Sequence, residues 1–229
     1  MTAIIREVTI GDCRLIQGDC LEVMKELGPV DAVVTDPPYG IDYGNAGGFS
    51  KSSGWKQWRG QAEWDKERPS REVFEAMISI SSDQIIWGGN YFADLLPPSM
   101  RWLAWDKGQR EFTLADFELA WTSQQKAARA FTYPRGKAAK DGKQHPTQKP
   151  VALMEWCIGF LPDAETILDP FMGSGSTLVA CAKLGRKGIG IELDEQYFEI
   201  ACKRVEDAYA QPDLFVAPPP TPTQTGFDI

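Results

Sequence analysis

The sequence predicts an α/β protein, a mainly parallel sheet with helices on both faces. Two observations carry this. Short apolar runs alternate with stretches of helical period along most of the chain. The run Thr166-Ile167-Leu168 also passes through a glycine-rich turn directly into a helical stretch, the strand–turn–helix unit of parallel sheets. With 229 residues, 43% of them hydrophobic, the chain is long enough to bury a sizeable core around such a sheet.

The elements follow in order. Val8-Thr9-Ile10 and Arg14-Leu15-Ile16 flank Gly11-Asp12-Cys13, which reads as a hairpin. Asp19 caps a short helix from Cys20 to Leu27, with Glu22 completing a capping pair, and Gly28-Pro29 ends it. Val30 to Thr35 is a buried strand. The stretch 40–68 is rich in Gly, Ser and Trp, lacks a period and reads as a long functional loop. Ser70 caps a helix with Val73, Phe74, Met77 and Ile78 on one face. Gln84 to Trp87, Trp102 to Trp105 and Phe117 to Trp121 are strands, and the basic segment after them is a loop.

Pro150 starts a helix that runs to about Phe160, since proline is tolerated in the first helical turn. Thr166 to Leu168 is a strand, Thr177 to Leu184 a helix closed by Gly185, and Lys187 to Leu193 a strand. Asp194 caps a last helix whose apolar face carries Tyr197, Ile200, Ala201, Val205 and Ala208. Residues 1–210 therefore read as one domain, with 211–229 a proline-rich tail.

Composition narrows the function. No apolar run reaches the roughly 18 residues of a membrane span, and the N-terminus has no signal-peptide pattern, so a cytoplasmic location is expected. The five cysteines include no Cys-x-x-Cys pair, which points to core thiols, with no metal site expected. No Pro-Cys step offers a nucleophile for a cytosine ring. The net charge of −8 opposes extended phosphate binding, but the cations are clustered. Arg135, Lys137, Lys140, Lys143 and His145 fall in one stretch, and Lys51, Lys56 and Arg59 interleave with Trp55 and Trp58 in another. Both read as solvated loops or as DNA contacts; tryptophans among cations favour stacking on a nucleic acid.

Two segments carry chemistry. Asp36-Pro37-Pro38-Tyr39 follows a buried strand at the carboxyl edge of the sheet, where open α/β sheets hold ligands. It supplies acceptors for an amino group and a flat ring for a base. The second is Asp169-Pro170-Phe171-Met172-Gly173-Ser174-Gly175-Ser176-Thr177. Its glycines let the backbone approach a ligand closely, and no Gly-Lys-[Ser/Thr] follows, so it is not a P-loop. Asp169 can hold an ammonium, and Glu192, at the end of the next strand, can accept from both hydroxyls of a ribose. An amine at one end and a ribose at the other fit S-adenosylmethionine.

Together these two motifs resemble those of the amino-group DNA methyltransferases. Catalytic motif first and cofactor motif last resembles the beta class, whose fold is circularly permuted. His145-Pro146-Thr147-Gln148-Lys149-Pro150 and Gly18-Asp19-Cys20 resemble further segments of that family, so the likeness runs from about Gly18 to Asp207. The resemblance implies the class I S-adenosylmethionine-dependent methyltransferase fold, a three-layer sandwich with a seven-stranded sheet and one antiparallel strand. It implies catalytic Asp36, Pro37, Pro38 and Tyr39. For the cofactor it implies Asp19, Cys20, Asp36, Lys149, Asp169, Phe171, Gly173, Ser174, Gly175, Ser176, Thr177, Glu192 and Leu193.

The expected reaction is site-specific methylation of the exocyclic amine of a flipped adenine in double-stranded DNA, in a bacterial or phage restriction-modification setting. Asp at the motif's first position resembles the adenine enzymes more than the cytosine-amino ones, which more often carry Ser. Rival readings are a cytosine-amino enzyme, an RNA or protein-amide methyltransferase and a non-catalytic DNA-binding module. Phe117-Glu118-Leu119-Ala120-Trp121 resembles a family segment near the target base, so Phe117 or Trp121 walls the pocket or packs in the core. Loops at about 44–68 and 124–144 are the expected target readers. Gln211-Pro212-Asp213-Leu214-Phe215 resembles peptides that dock in bacterial sliding clamps, and family relatives are commonly dimers.

Overall fold

The computed structural model describes residues 3–42, 65–108, 110, 115–134 and 148–210. Among the described residues nine strands form one sheet: β1 (Ile4–Ile10), β2 (Cys13–Gly18), β3 (Val30–Thr35), β4 (Ser81–Trp87), β5 (Trp102–Asp106), β6 (Phe117–Thr122), β7 (Arg129–Thr132), β8 (Thr166–Asp169) and β9 (Lys187–Glu192). Their order is β1-β2-β9-β8-β3-β4-β6-β5-β7. From β2 to β4 every pairing is parallel, while β1 and β6 run against that direction.

The sheet therefore has two strands more than expected. Within it, β2 through β5 in space form the seven-strand unit with β6 alone reversed. The additions are β1, folded back by the Gly11 hairpin, and β7, parallel to β5. β7 lies in the segment read as a basic loop; four residues, Arg-Ala-Phe-Thr, are too few to show a period.

Helices α1 (Cys20–Glu26) and α2 (Arg71–Ile80) cover one face, and α3 (Val151–Ile158), α4 (Ser176–Leu184) and α5 (Glu195–Ala210) the other. Strand alternation sends Val33 and Ile86 toward Val73, Phe74 and Met77, and Val34 and Ile85 toward the cluster holding Leu153, Leu178 and Phe198. Each fully buried side chain of this kind stabilises the fold by about 1.5–3 kcal/mol.

The caps are partly as expected. The Asp19 carboxylate accepts from the Glu22 amide at 3.1 Å, and Asp194 accepts from the amides of Gln196 and Tyr197 at 2.8 and 3.0 Å. Ser70 occupies its N-cap position without a side-chain cap bond. In α5 the buried residues are Phe198, Ala201, Cys202 and Val205, so Phe198 replaces Ile200 as the large apolar anchor. Among the described residues no helix is long and apolar enough to cross a membrane.

One topological fact positions the site. From β3 the chain crosses through α2 to β4, and from β8 through α4 to β9, on the opposite side. β3 and β8 are neighbours, with Ala32 opposite Ile167 and Val33 opposite Leu168. Their carboxyl ends thus bound the crevice where strand order reverses, the ligand position of open α/β sheets.

Candidate active site

Asp36 leaves the end of β3 and Asp169 ends β8, so the crevice brings together motifs from opposite ends of the chain. The link is direct: the Thr35 hydroxyl donates to Asp169 Oδ1 at 2.6 Å across 134 positions of sequence. Both motifs open onto one cavity of about 650 Å³, within the range of small-molecule sites.

On one side of the cavity lies the glycine turn. The Gly173 amide donates to Glu192 Oε2 at 2.9 Å and the Asp194 amide to Glu192 Oε1 at 2.8 Å, so β9 and the turn brace each other. Asp19, Cys20, Phe171, Gly173, Ser174, Ser176, Thr177, Glu192 and Leu193 line the cavity together with Asp169. Burial lifts the Cys20 thiol to about 12, so it is a neutral wall. Gly175 is not among the residues that line the cavity. It caps α4 at φ +80°, and a Cβ there would stand 3.0 Å from the Cβ of Ala201. Its glycine serves the turn and the approach of α5.

On the other side stands Asp36. Tyr39 donates its hydroxyl to Asp36 Oδ1 at 2.7 Å, and Lys149 Nζ reaches Asp36 Oδ2 at 2.6 Å and the Tyr39 hydroxyl oxygen at 3.0 Å. Burial raises the pKa of Asp36, opposed by the Lys149 ammonium, and Glu118 adds to the rise. Lys149, expected beside the cofactor, spends its ammonium here, on Asp36, Tyr39 and Glu118. Pro37 and Pro38 also line the cavity.

The Tyr39 ring stacks on Tyr91 with centroids 4.8 Å apart, and Phe92 meets it edge-on. One ring face is therefore occupied by protein. Of the two aromatics expected near the target, Phe117 is exposed and lines the cavity, whereas Trp121 is core and donates its indole N–H to the Pro97 carbonyl.

Several functional residues escaped the sequence reading. Asp65, buried, accepts from the amides of Tyr39 and Gly40 at 2.9 and 3.1 Å and fixes the turn after the prolines. It lies within the loop 44–68 expected to read the target, so the end of that loop packs on the turn at Tyr39 and Gly40. Arg204 of α5 donates to the Ser174 carbonyl and, at 3.0 Å, to the Ser174 hydroxyl, tying the glycine turn to the last helix. Burial lowers its pKa to about 10. Lys51, Trp55, Lys56, Trp58, Arg59, Arg135, Lys137, Lys140, Lys143, His145 and the peptide 211–215 lie outside the described residues.

Burial lifts Glu192 to about 7 and Asp169 to about 6. The ligand-free fold then binds protons more tightly than the unfolded chain. That stability is complete below the ordinary carboxyl range and is lost as pH rises through about 6 to 7. Asp106 and Glu118, each held at about 2, act in the opposite sense, but their contribution is complete above about pH 5. The melting temperature of ligand-free protein is expected to fall from about pH 5 to 8, and Glu192→Gln to flatten the fall. A melting temperature that rises across this window contradicts the assignment.

Comparison with known proteins gives concordant matches. A family model described as DNA methylase (N6_N4_Mtase) matches residues 97–203. Type II methyltransferase M2.DpnII of Streptococcus pneumoniae is 27% identical over 241 residues, covering 84% of this chain and 89% of the relative. M2.LlaDCHI of Lactococcus lactis subsp. cremoris is 27% identical, covering 83% and 88%. Among solved structures, the M1.HpyAVI–SAM complex superposes with a TM-score of 0.54 at 22% identity, covering 84% of this chain and 98% of that one. The PvuII DNA methyltransferase (cytosine-N4-specific) gives 0.59 at 14% identity, covering 90% and 95%. The fold is that of the class I methyltransferases, and the chain is similar over most of its length to Type II DNA methyltransferases, with the N6_N4_Mtase DNA methylase model matching its C-terminal half.

Proposed function

We propose that the chain methylates the exocyclic amine of an adenine extruded from double-stranded DNA, using S-adenosylmethionine, and that residues 1–210 form the domain that does so. The observation that carries this reading is the shared cavity, lined by the glycine turn and Glu192 and also by Asp36. The donor set fits the cofactor: a carboxylate at the end of each of two adjacent parallel strands, Asp169 and Glu192, with an open glycine turn between them. When bound, the cofactor supplies a methyl group on a positively charged sulfur.

An exocyclic amine is a poor nucleophile because its lone pair is delocalised into the ring. Acceptors at its N–H bonds pull the nitrogen toward a tetrahedral shape and localise that pair. Asp36 can do this while bonded to Tyr39 and Lys149, since each carboxylate oxygen keeps a second lone pair. The Pro37 carbonyl is the second acceptor, on a backbone that proline stiffens. Alignment of amine and methyl in a single cavity supplies a large share of the rate. Tyr39 and Tyr91 offer aromatic surface to the base; such stacking is worth roughly 1–3 kcal/mol per base.

Asp36 itself supports adenine over cytosine, through the resemblance noted above. Further partners within this reading are a second copy of the chain and a bacterial sliding clamp at Gln211 to Phe215. The clamp proposal is tested by the binding of a peptide spanning 210–217. The reaction is tested by mapping modified bases in DNA from cells expressing the chain. N6-methyladenine within a recurring sequence is expected, and N4-methylcytosine would transfer the reading to cytosine. Unmodified DNA would overturn it.

A further inference from the structure

Glu118 takes no part in the chemistry above, yet it is central to a row of charges that ends at Asp36. Its Oε1 pairs with Lys107 Nζ at 2.6 Å, and its Oε2 lies 3.0 Å from Lys149 Nζ, an ion pair without hydrogen-bond alignment. Lys149 then bonds Asp36 and Tyr39. The side chains of Lys149 and Lys107 are only 4% and 11% exposed. Four chain segments thus contribute alternating charges: Lys107 after β5, Glu118 in β6, Lys149 before α3 and Asp36 after β3.

Taking charges out of water is costly, and well-packed apolar side chains would hold a fold at least as well. The arrangement has an electrostatic consequence instead. Methyl transfer would break the sulfur–methyl bond and form a nitrogen–methyl bond, moving positive charge from sulfur to the amine nitrogen, which then releases a proton to solvent. Lys149 alone beside Asp36 would cancel most of the negative field that favours this. Glu118 offsets Lys149, and Lys107 offsets Glu118, so the row is neutral and Asp36 keeps its field at the amine.

We propose that Glu118, backed by Lys107, is a positioning residue for the transfer reaction, fixing and balancing Lys149 so that Asp36 acts on the substrate amine as an oriented anion. This rests on the functional reading above. Other groups facing Asp36 are Tyr39, stacked on Tyr91, and Asp169 at the end of β8; Asp65 accepts from the amides of Tyr39 and Gly40 in the same turn. Glu118, held at about 2 by Lys149 and Lys107 against the effect of its burial, stays charged across the working range. So does Lys149, kept at about 12 by Asp36 and Glu118 against its own burial. Neither is the titrating base.

The test is the pH profile of kcat for wild type, Glu118→Gln and Lys107→Met, with cofactor Kd and melting temperature measured alongside. Glu118→Gln is expected to lower kcat about tenfold or more with cofactor Kd within about twofold. Its acid limb moves down by roughly half a unit, because a negative charge no longer opposes ionisation of Asp36. Lys107→Met moves the acid limb up, since Glu118 is then less compensated. Opposite displacements from two members of one ion pair do not arise from a shared loss of packing. Limbs that stay put or move together overturn the proposal. If Glu118→Gln does not fold, Lys107→Met decides alone: an upward displacement supports the proposal, and none overturns it. A wild type that transfers no methyl to DNA overturns the functional reading and this proposal with it, whereas an active wild type with unmoved limbs overturns this proposal only.

Discussion

Asp36→Ala is expected to lower kcat for methyl transfer by roughly a thousandfold or more while cofactor Kd stays within a few-fold. In the proposed reaction the carboxylate is the charged acceptor at the amine, so its loss removes both the field and a hydrogen bond there. The part of the cavity proposed for the cofactor, at the glycine turn, Asp169 and Glu192, is braced independently of Asp36 by the Gly173 and Asp194 amides. Lys149 loses one acceptor but keeps its ion pair with Glu118, so the stability cost stays near 1–3 kcal/mol. Asp36→Asn, which retains an acceptor but no charge, is expected to fall between the two. Steady-state kinetics with calorimetric cofactor binding checks this; wild-type turnover in Asp36→Ala would remove the residue from the chemistry.

Gly88→Ala is expected to have the next largest effect, although Gly88 bears no functional group. It follows β4 at φ +71°, and a Cβ there would stand 2.1 Å from Tyr39 Cε1 and 2.6 Å from Cδ1. The ring cannot simply recede, because Tyr91 stacks on it and Asp36 and Lys149 hold its hydroxyl. Either the left-handed turn or the Tyr39 network must give way. The backbone strain alone costs about 1–3 kcal/mol. The expected outcome is a kcat lower by about a hundredfold with cofactor Kd little changed. A crystal structure of the variant with Tyr39 undisplaced, together with wild-type kcat, would contradict this.

What could be read in advance was whatever is local in sequence. The strand Val30–Thr35, the glycine turn and the Asp19 and Asp194 caps each announce themselves within a few residues, and the structure bears out all of them. The convergence of Asp36 and Asp169 needed the order of the motifs as well. What stayed hidden depends on remote neighbours. Asp65 sits in a stretch without periodicity, and only folding brings it to the amides of Tyr39 and Gly40. Arg204 has the look of a solvated helix charge until Ser174 is placed beside it. Glu118 lies inside the segment Phe117 to Trp121, but its meaning rests on Lys107 and Lys149, which come from two other segments. The motif implies Lys149 as a cofactor residue but says nothing of the ammonium's partners, Asp36, Tyr39 and Glu118. β7 is a strand because β5 is there to pair with, not because its own four residues demand it.

The most direct measurement is the chemical identity of the product. The protein is incubated with methyl-labelled S-adenosylmethionine and genomic duplex DNA, RNA or protein in parallel, and the nucleosides are separated after digestion. Label in N6-methyldeoxyadenosine from the DNA alone is the expected result. Label confined to RNA or protein, or absent from all three, would contradict the account.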